Sequence, residues 1–275
     1  MRRIDASYEG NPGSDHMDRL ISAPLFAASC LVGMLLMMEI GRRAGLRRVA
    51  RDPAKGMAGL SATEGAVFAL FGLLIAFTFS GGISRFDSRR QLIAEEANDI
   101  GTAYLRLDLL PASAQPALRV LFRDYVDSRL AVYRKLPDVD AAKAELARSE
   151  GLQREIWTRA VAATREPGAH VDAAKLLFPS LNNMIDITTT RTMAARIHPP
   201  PIIYALLFVL GLGCSLLAGY GMAEGKYRSW IHILGFTVII GITLFVILDM
   251  EYPRMGFIRL DAYDQVLVEL RGQMQ

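Results

Sequence analysis

Hydrophobic residues in this chain are concentrated in four long runs that polar segments separate. Crossing the roughly 30 Å hydrocarbon core of a bilayer takes about 20 helical residues, and each run has about that length. None of the runs alternates apolar and polar residues with a period of two, so we expect helices rather than the strands of a closed barrel. The predicted spans are Leu20–Ile40, Ala66–Ile83, Pro201–Met222 and Trp230–Met250.

The spacing of these runs groups the spans into two hairpins. A basic segment, Gly41–Ala62, joins the first pair, and a short turn, Ala223–Ser229, joins the second pair. Aromatic residues near span ends are typical anchors at the membrane–water interface. Here they are Tyr204, Tyr220, Tyr227, Trp230 and Tyr252.

The segment between the hairpins is polar but keeps a helical period. Ile93, Ala97, Ile100 and Tyr104 recur at steps of four and three residues, which places them on one face of a helix. Pro111 predicts the end of that helix, because proline cannot continue the backbone hydrogen-bond ladder. Three further helices are predicted to follow it.

The second of these polar helices is predicted to begin near Pro116, since proline suits the first helical turn. The third, Asp140–Ala163, is mostly alanine and charged residues, so we expect it to be exposed. The fourth, Asp172–Ile197, is expected to kink at Pro179.

The predicted fold class is therefore all-α, with four transmembrane helices in two hairpins and a helical polar domain inserted between the second and third. The predicted divisions are residues 1–19 as a disordered leader, 20–83 as the first hairpin, 84–198 as the polar domain, 199–252 as the second hairpin, and 253–275 as a C-terminal helical tail.

Composition agrees with a chain that alternates spans and polar segments. Hydrophobic residues make up 52% of the chain, charged residues 21%, and the mean hydropathy is +0.24. The first run lacks the short basic leader and cleavage site of a signal peptide, so we interpret it as a retained span, and Met17 is an alternative start. The net charge of +3 arises from basic clusters beside the spans, which argues against a nucleic-acid partner.

No catalytic or cofactor-binding constellation is present in the sequence. The four histidines, His16, His170, His198 and His232, lack paired spacing, and no glycine loop of the phosphate-binding kind occurs. Cys30 and Cys214 lie inside apolar runs, where they are expected to be buried hydrophobes. We therefore expect no enzyme activity, no metal and no cofactor.

The second span carries a regular apolar stripe. Ala69, Leu73 and Phe77 follow one another at four-residue steps and so lie on one face of the helix. The simpler interpretation is that the stripe packs against the other spans. The functional interpretation is that several copies of the chain surround an axis, and that the stripe lines a hydrophobic constriction able to gate by dewetting.

The segment leaving this span resembles a known family. In bestrophins a phenylalanine is followed eight residues later by an arginine, then by aromatic residues and another arginine, and Phe77, Arg85, Phe86 and Arg90 fit that spacing. The longer stretch 71–107, which includes Glu95 and Glu96, is more similar to a bacterial bestrophin-like family of unknown function. The position after Phe86 is an aspartate here, where bestrophins have a second aromatic residue.

The resemblance implies a function and an assembly. Bestrophins are pentameric, usually anion-selective channels whose neck is lined by three apolar residues at four-residue steps, which correspond here to Ala69, Leu73 and Phe77. Arg85 would then lie at the pore mouth, although snorkelling to lipid headgroups is an equal alternative. The acidic calcium-binding run of animal members is absent, so calcium gating is not implied.

Gly81 and Gly82 are the only helix-weakening residues between the second span and the first polar helix. The sequence therefore predicts either one long helix or two helices joined by a hinge at these glycines, and either form would carry movement between span and polar domain.

Charge near the span ends gives conflicting signals about orientation. Counting all lysines and arginines favours a cytoplasmic N-terminus, whereas the density of arginine in Gly41–Ala62 favours the reverse. The bestrophin resemblance implies a bacterial inner-membrane protein with a cytoplasmic polar domain. The expected partners are the lipid bilayer, further copies of the chain in a ring, and anions. The main alternative is a non-conducting sensor or scaffold that binds a partner through faces such as the one carrying Glu95, Glu96 and Asp99, or through the Asp140–Ala163 helix.

Overall fold

A computed structural model of the chain describes residues 14–51, 60–224 and 229–274, and every regular element in those ranges is helical. The α-helices are α1 Ser14–Arg51, α2 Leu60–Leu105, α3 Gln115–Arg134, α4 Val139–Ala163, α5 Ala173–Arg196, α6 Pro201–Gly221, α7 Trp230–Glu251 and α8 Gln265–Gln273. Short 3₁₀ turns cover Arg106–Leu109, Met222–Glu224 and Asp261–Asp264. The predicted all-α class is confirmed.

Among the described residues, four helical stretches are long and apolar enough to cross a membrane, and each overlaps one of the four predicted runs. The stretch that includes α2 is the least covered by the rest of the chain: 11% of its most apolar window is buried, against 28% in each of the others. The chain is therefore a membrane protein. Other described residues of the chain leave most of the apolar surface of α2 uncovered.

The first helix is longer than predicted at both ends. It begins at Ser14 and ends at Arg51, so residues 14–19 of the predicted disordered leader and half of the Gly41–Ala62 linker are helical. Arginine, alanine and leucine dominate this extension and are good helix formers. The rest of the leader, residues 52–59 and residues 225–228 of the second turn lie outside the described residues.

The second helix runs from Leu60 to Leu105 without a break at Gly81 or Gly82. Of the two predicted alternatives, the structure has the single long helix. A glycine inside a helix costs only about 1 kcal/mol relative to alanine, which packing can offset. A β-carbon on Gly82 would lie 3.3 Å from Cε of Met250, so this glycine permits close packing of α2 against α7. Bending of this continuous helix at Gly81 and Gly82 remains a prediction.

The chain divides into two compact units. The span unit comprises Asp18–Ser84 and His198–Glu251, and the polar unit includes Arg85–Ile197 and Tyr252–Gln275. The first part of α2 therefore belongs to the span unit and the remainder to the polar unit. The five-way division of the chain stays a prediction.

The polar unit is built around one hydrophobic core. Ile100, Phe122, Ile156 and Met184, which come from α2, α3, α4 and α5 respectively, are all fully buried in it. The C-terminal segment, which the sequence presents as a tail, contributes Leu267 of α8 to the same core. Nothing in the local pattern of that segment shows which surface it would cover.

The prediction that the third polar helix is exposed is wrong for one of its faces. Residues spaced by three and four along α4 are buried: Ala142, Glu145, Ser149, Gln153, Ile156, Ala160 and Ala163. Small and polar side chains allow α4 to pack closely along α3, and Ser128 of α3 shares a 2.8 Å hydrogen bond with Ser149. Pro179 lies inside α5, which continues through it to Arg196.

Candidate functional site

The two faces of α2 in the span unit have opposite environments. Phe71 is 2% exposed and packs with Leu207 and Cys214 of α6, whereas Leu73 is 51% exposed and Phe77 is 66% exposed. Ala69, one turn before Leu73, is also exposed. The three predicted constriction residues therefore share the face that the rest of the span unit leaves uncovered, which we call the outward face.

Aromatic contacts fix the opposite face of α2 against the other spans. The Phe68 ring meets Phe236 of α7 edge to face, with ring centroids 5.8 Å apart. A β-carbon on Gly211 would lie 3.4 Å from Cζ of Phe71, so α6 approaches α2 closely there. By contrast, a β-carbon on Gly72, next to Leu73, would meet no atom within 4 Å. The rotation of α2 is thus set by its packed side.

The basic residues after the span lie in different settings. Arg85 and Phe86 are half-buried. Arg90 lies over the Tyr263 ring, 5.3 Å from the centroid, and also reaches Asp87 at 3.2 Å. The hydrogen bond from Arg90 to the Tyr263 hydroxyl raises the pKa of this guanidinium. The C-terminal segment therefore engages Arg90, a contact that the motif spacing does not reveal.

Arg89 is not part of the sequence motif, but among Arg85, Arg89 and Arg90 it is the one that the fold buries. It is 8% exposed and donates hydrogen bonds to the carbonyl oxygens of Ala194, at 3.1 Å, and Ile197, at 2.9 Å. Carbonyls at the C-terminal end of a helix lack intrahelical hydrogen-bond donors and carry partial negative charge. A guanidinium supplies both the missing donors and an opposite charge. Arg89 thus caps α5 immediately before the proline segment that leads to α6.

Glu95 and Glu96 do not form the solvated pair that the sequence suggests. Glu95 is exposed, but Glu96 is completely buried and accepts hydrogen bonds from Arg129 of α3, at 2.5 Å, and from Arg191 of α5. A buried carboxylate is tolerated when it is paired and hydrogen-bonded. Glu96 is therefore unavailable as part of a partner-binding face, because it belongs to the interior of the polar unit.

The ion pairs of Glu96 extend into a cage of arginines around Tyr133. The guanidinium carbons of Arg129, Arg191 and Arg254 lie 5.5, 4.3 and 4.6 Å from the centroid of the tyrosine ring, within the range of cation–π attraction. Arg129 also donates to the Tyr133 hydroxyl at 2.8 Å. Asp264 balances part of the charge through two hydrogen bonds from Arg254.

Burial governs the ionisation of the cage. It lowers the pKa of Arg191 to about 9, with the positive charge of Arg254 acting in the same direction and Asp264 opposing both. Burial likewise raises the pKa of Tyr133. Four separate segments of the chain supply this cluster, so no sequence motif could have located it. Within the described ranges, no group of three or more histidines, cysteines and acidic residues is placed to hold a metal ion.

Comparison with known proteins gives a family and a fold. The family described as bestrophin-like domain matches residues 27–262. A variant of a bacterial bestrophin homologue from Klebsiella pneumoniae has 15% identity and a TM-score of 0.63, covering 97% of this chain and 100% of its own. The same homologue solved by Zn-SAD phasing has 14% identity and a TM-score of 0.61, covering 89% and 98%. At these identities the likeness shows the fold alone. No curated protein matches the chain.

Proposed function

The chain belongs to the bestrophin-like family, and from that premise we propose that it forms a ring of identical subunits that conducts anions across the bacterial inner membrane. The outward face of α2 is the observation that carries the proposal. Leu73 and Phe77 are large apolar side chains that the chain's own packing leaves more than half exposed. In a ring with α2 nearest the axis, Ala69, Leu73 and Phe77 line the narrow part of the pore.

The proposed pore works by excluding water rather than by chemistry. A constriction of apolar side chains conducts only when it is wide enough to stay wetted, so its residues control the current directly. Arg85 follows Phe77 by two helical turns, and a ring of arginines at that level favours anions over cations. The proposal needs no cofactor and no catalytic residue, and it places the polar unit in the cytoplasm.

Shortening the largest side chain of the stripe is the test of this function. We expect Phe77→Ala to raise the single-channel conductance of the purified protein in planar bilayers, because the constriction becomes wider and stays wetted. The matched control is Phe79→Ala, which removes a phenylalanine of the same helix two residues away and off the stripe. Absence of current from both wild-type protein and the Phe77→Ala variant would contradict the channel function.

The alternative, a non-conducting sensor or scaffold, predicts a different assembly. Particle images of the detergent-solubilised protein distinguish the two functions. A symmetric ring with α2 nearest the axis supports the channel, whereas a monomer or dimer supports the scaffold. Because Glu96 is buried, a scaffold would have to use other residues of that helix, such as the exposed Glu95.

A further inference from the structure

A pocket of about 700 Å³ lies between α4 and α5, wholly within the polar unit. Cavities of roughly 300–1,000 Å³ are the usual size of small-molecule sites. The pocket exists because α4 packs mainly along α3 and makes little contact with α5. It is distinct from the outward face of α2, and nothing in the proposed channel function uses it.

Gln153 brings a buried polar group to this pocket. Its side chain is 6% exposed, and its Nε2 donates hydrogen bonds to the Tyr125 hydroxyl and to Oγ1 of Thr188, each at 3.0 Å. Those two hydroxyls are also 3.0 Å apart, so both hydrogens of the amide are used and its orientation is fixed. In the described part of the chain, no donor reaches Oε1 of Gln153. That oxygen is not one of the buried side-chain atoms without a partner, so it keeps access to solvent and can accept a hydrogen bond from an O–H or N–H group of a ligand.

Charge around the pocket favours an anion. Arg154 of α4 and Arg196 of α5 both line it and are exposed, and their guanidinium groups make no hydrogen bond or ion pair with the other described residues. One acidic residue, Glu150, lines the pocket as well, which leaves an excess of one positive charge. Guanidinium groups bind carboxylates through paired, charge-assisted hydrogen bonds.

The remaining wall is apolar and partly aromatic. Trp157 and Ile185 line the pocket beside Gln153. The Trp157 ring packs on Phe178 at a centroid distance of 5.3 Å, which holds the indole in place. A flat apolar body fits against such a wall, because aromatic faces gain from stacked or tilted ring contacts.

We propose that the pocket between α4 and α5 binds a small aromatic carboxylate that also carries a hydrogen-bond donor. The carboxylate pairs with Arg154 and Arg196, the ring lies against Trp157, and the donor reaches Oε1 of Gln153. Because Arg154 is on α4 and Arg196 on α5, the bound ligand also joins two helices that otherwise touch little.

Trp157 makes the proposal measurable by fluorescence. The chain has two tryptophans, and Trp230→Phe leaves Trp157 as the only one. The probe is 4-hydroxyphenylacetate, which supplies the ring, the carboxylate and the O–H donor. We expect a saturable change in Trp157 emission when the full-length protein in detergent is titrated with this probe.

Two matched comparisons assign the binding to the proposed contacts. The double variant Arg154→Gln with Arg196→Gln should weaken probe binding at least about tenfold, equivalent to the loss of about 1.4 kcal/mol or more. Arg165→Gln removes an exposed arginine of the same unit outside the pocket and should leave binding unchanged. The neutral 4-hydroxyphenylacetamide and the donor-free phenylacetate should each bind more weakly than the probe.

Three results would overturn the proposal. The first is no saturable emission change up to millimolar probe, and the second is equal binding by the pocket variants and the Arg165→Gln control. The third is a particle image in which a neighbouring copy of the chain fills the pocket. Circular dichroism checks that each variant is folded. We expect all of them to fold, because the substituted arginines are exposed side chains.

Discussion

Glu95 and Glu96 are adjacent in the sequence but have opposite environments, which shows at the residue scale how much packing decides. Successive residues of a helix point about 100° apart, so one carboxylate faces outward while the other enters the core of the polar unit. Glu96 there meets two guanidinium groups, from Arg129 and Arg191. The sequence alone shows two carboxylates on a polar helix, and nothing in it identifies which of the two is buried and paired with arginines.

Removing the charge of Glu96 should destabilise the polar unit strongly. Glu96→Gln removes the carboxylate that the buried guanidinium groups of Arg129 and Arg191 share, and Arg191 keeps only the more distant Asp264, at 4.0 Å. Breaking a buried ion pair from one side costs about 3–5 kcal/mol. The unfolding transition of the solubilised protein, followed by circular dichroism, should move to markedly lower temperature. Glu95→Gln is the control and should change stability by no more than about 0.5 kcal/mol. Equal effects of the two substitutions would refute the burial-based argument.

Glu145 predicts a second effect at this scale, on pH dependence. The hydrogen bond from Lys135, at 2.7 Å, is the main cause that lowers the pKa of this carboxylate from 4.5 to about 2. A group whose pKa is lower in the folded state stabilises the fold fully above its unfolded pKa and loses that contribution as pH falls. The loss should therefore occur between about pH 4.5 and pH 2.

The measurement for Glu145 compares variants across that range. Wild-type protein should exceed Glu145→Gln in unfolding temperature near neutral pH, and the gap should narrow as the pH approaches about 2. Glu166→Gln, which changes an exposed glutamate of the same unit, should show no such narrowing. A constant difference in unfolding temperature between wild-type protein and Glu145→Gln would contradict the lowered pKa of Glu145.

At the scale of elements, glycines allow α1 and α6 to pack with their backbones in contact. A β-carbon on Gly41 would overlap the carbonyl oxygen of Leu216, and one on Gly219 would overlap the carbonyl oxygen of Met38. Gly45 continues the contact one turn further, where a β-carbon would lie 2.7 Å from the carbonyl oxygen of Tyr220. Close approach through small residues is a common basis of helix association in membranes, where apolar lipid removes the usual hydrophobic drive.

Adding a methyl group at this contact should separate the two spans. Gly219→Ala forces the backbones apart, and overpacking of this kind costs typically about 1–3 kcal/mol. Gly213→Ala is a matched control on the same helix, since a β-carbon there would meet nothing within 4 Å. Thermal unfolding in detergent should show a lower transition for Gly219→Ala alone. A normal transition for that variant would mean that the spans pack differently.

At the scale of the whole molecule, the outward face of α2 is the surface that the proposed ring turns toward its axis. It follows that cysteines placed on this face in different copies should come close together. In a variant without Cys30 and Cys214, we expect Ala69→Cys to be linked into multimers by a short bifunctional maleimide, as read on a denaturing gel. Ile239→Cys, an exposed position of α7, should remain unlinked. Linking of Ile239→Cys but not of Ala69→Cys would place a different span at the axis.

The sequence by itself determined the helices and which of them cross the membrane. Twenty-residue apolar runs leave the backbone no alternative to a helix in lipid, and the period of Ile93, Ala97 and Ile100 marks a buried face wherever the helix packs. The motif around Phe77 and Arg85 was also sufficient to indicate the family, because it depends on local spacing. The direction in which the stripe of Ala69, Leu73 and Phe77 points required the packed positions of the other spans.

Only the tertiary structure decided the roles of residues that act across long sequence distances. Arg89 meets Ile197, Glu96 meets Arg191, and Gln153 meets Thr188, each through contacts between different helices. Helical periodicity gives the face on which a residue lies but not the partner that packs there, so a buried arginine and a solvated one look alike in sequence. For the same reason, the cage of arginines around Tyr133 and the pocket between α4 and α5 could be identified only from the tertiary structure.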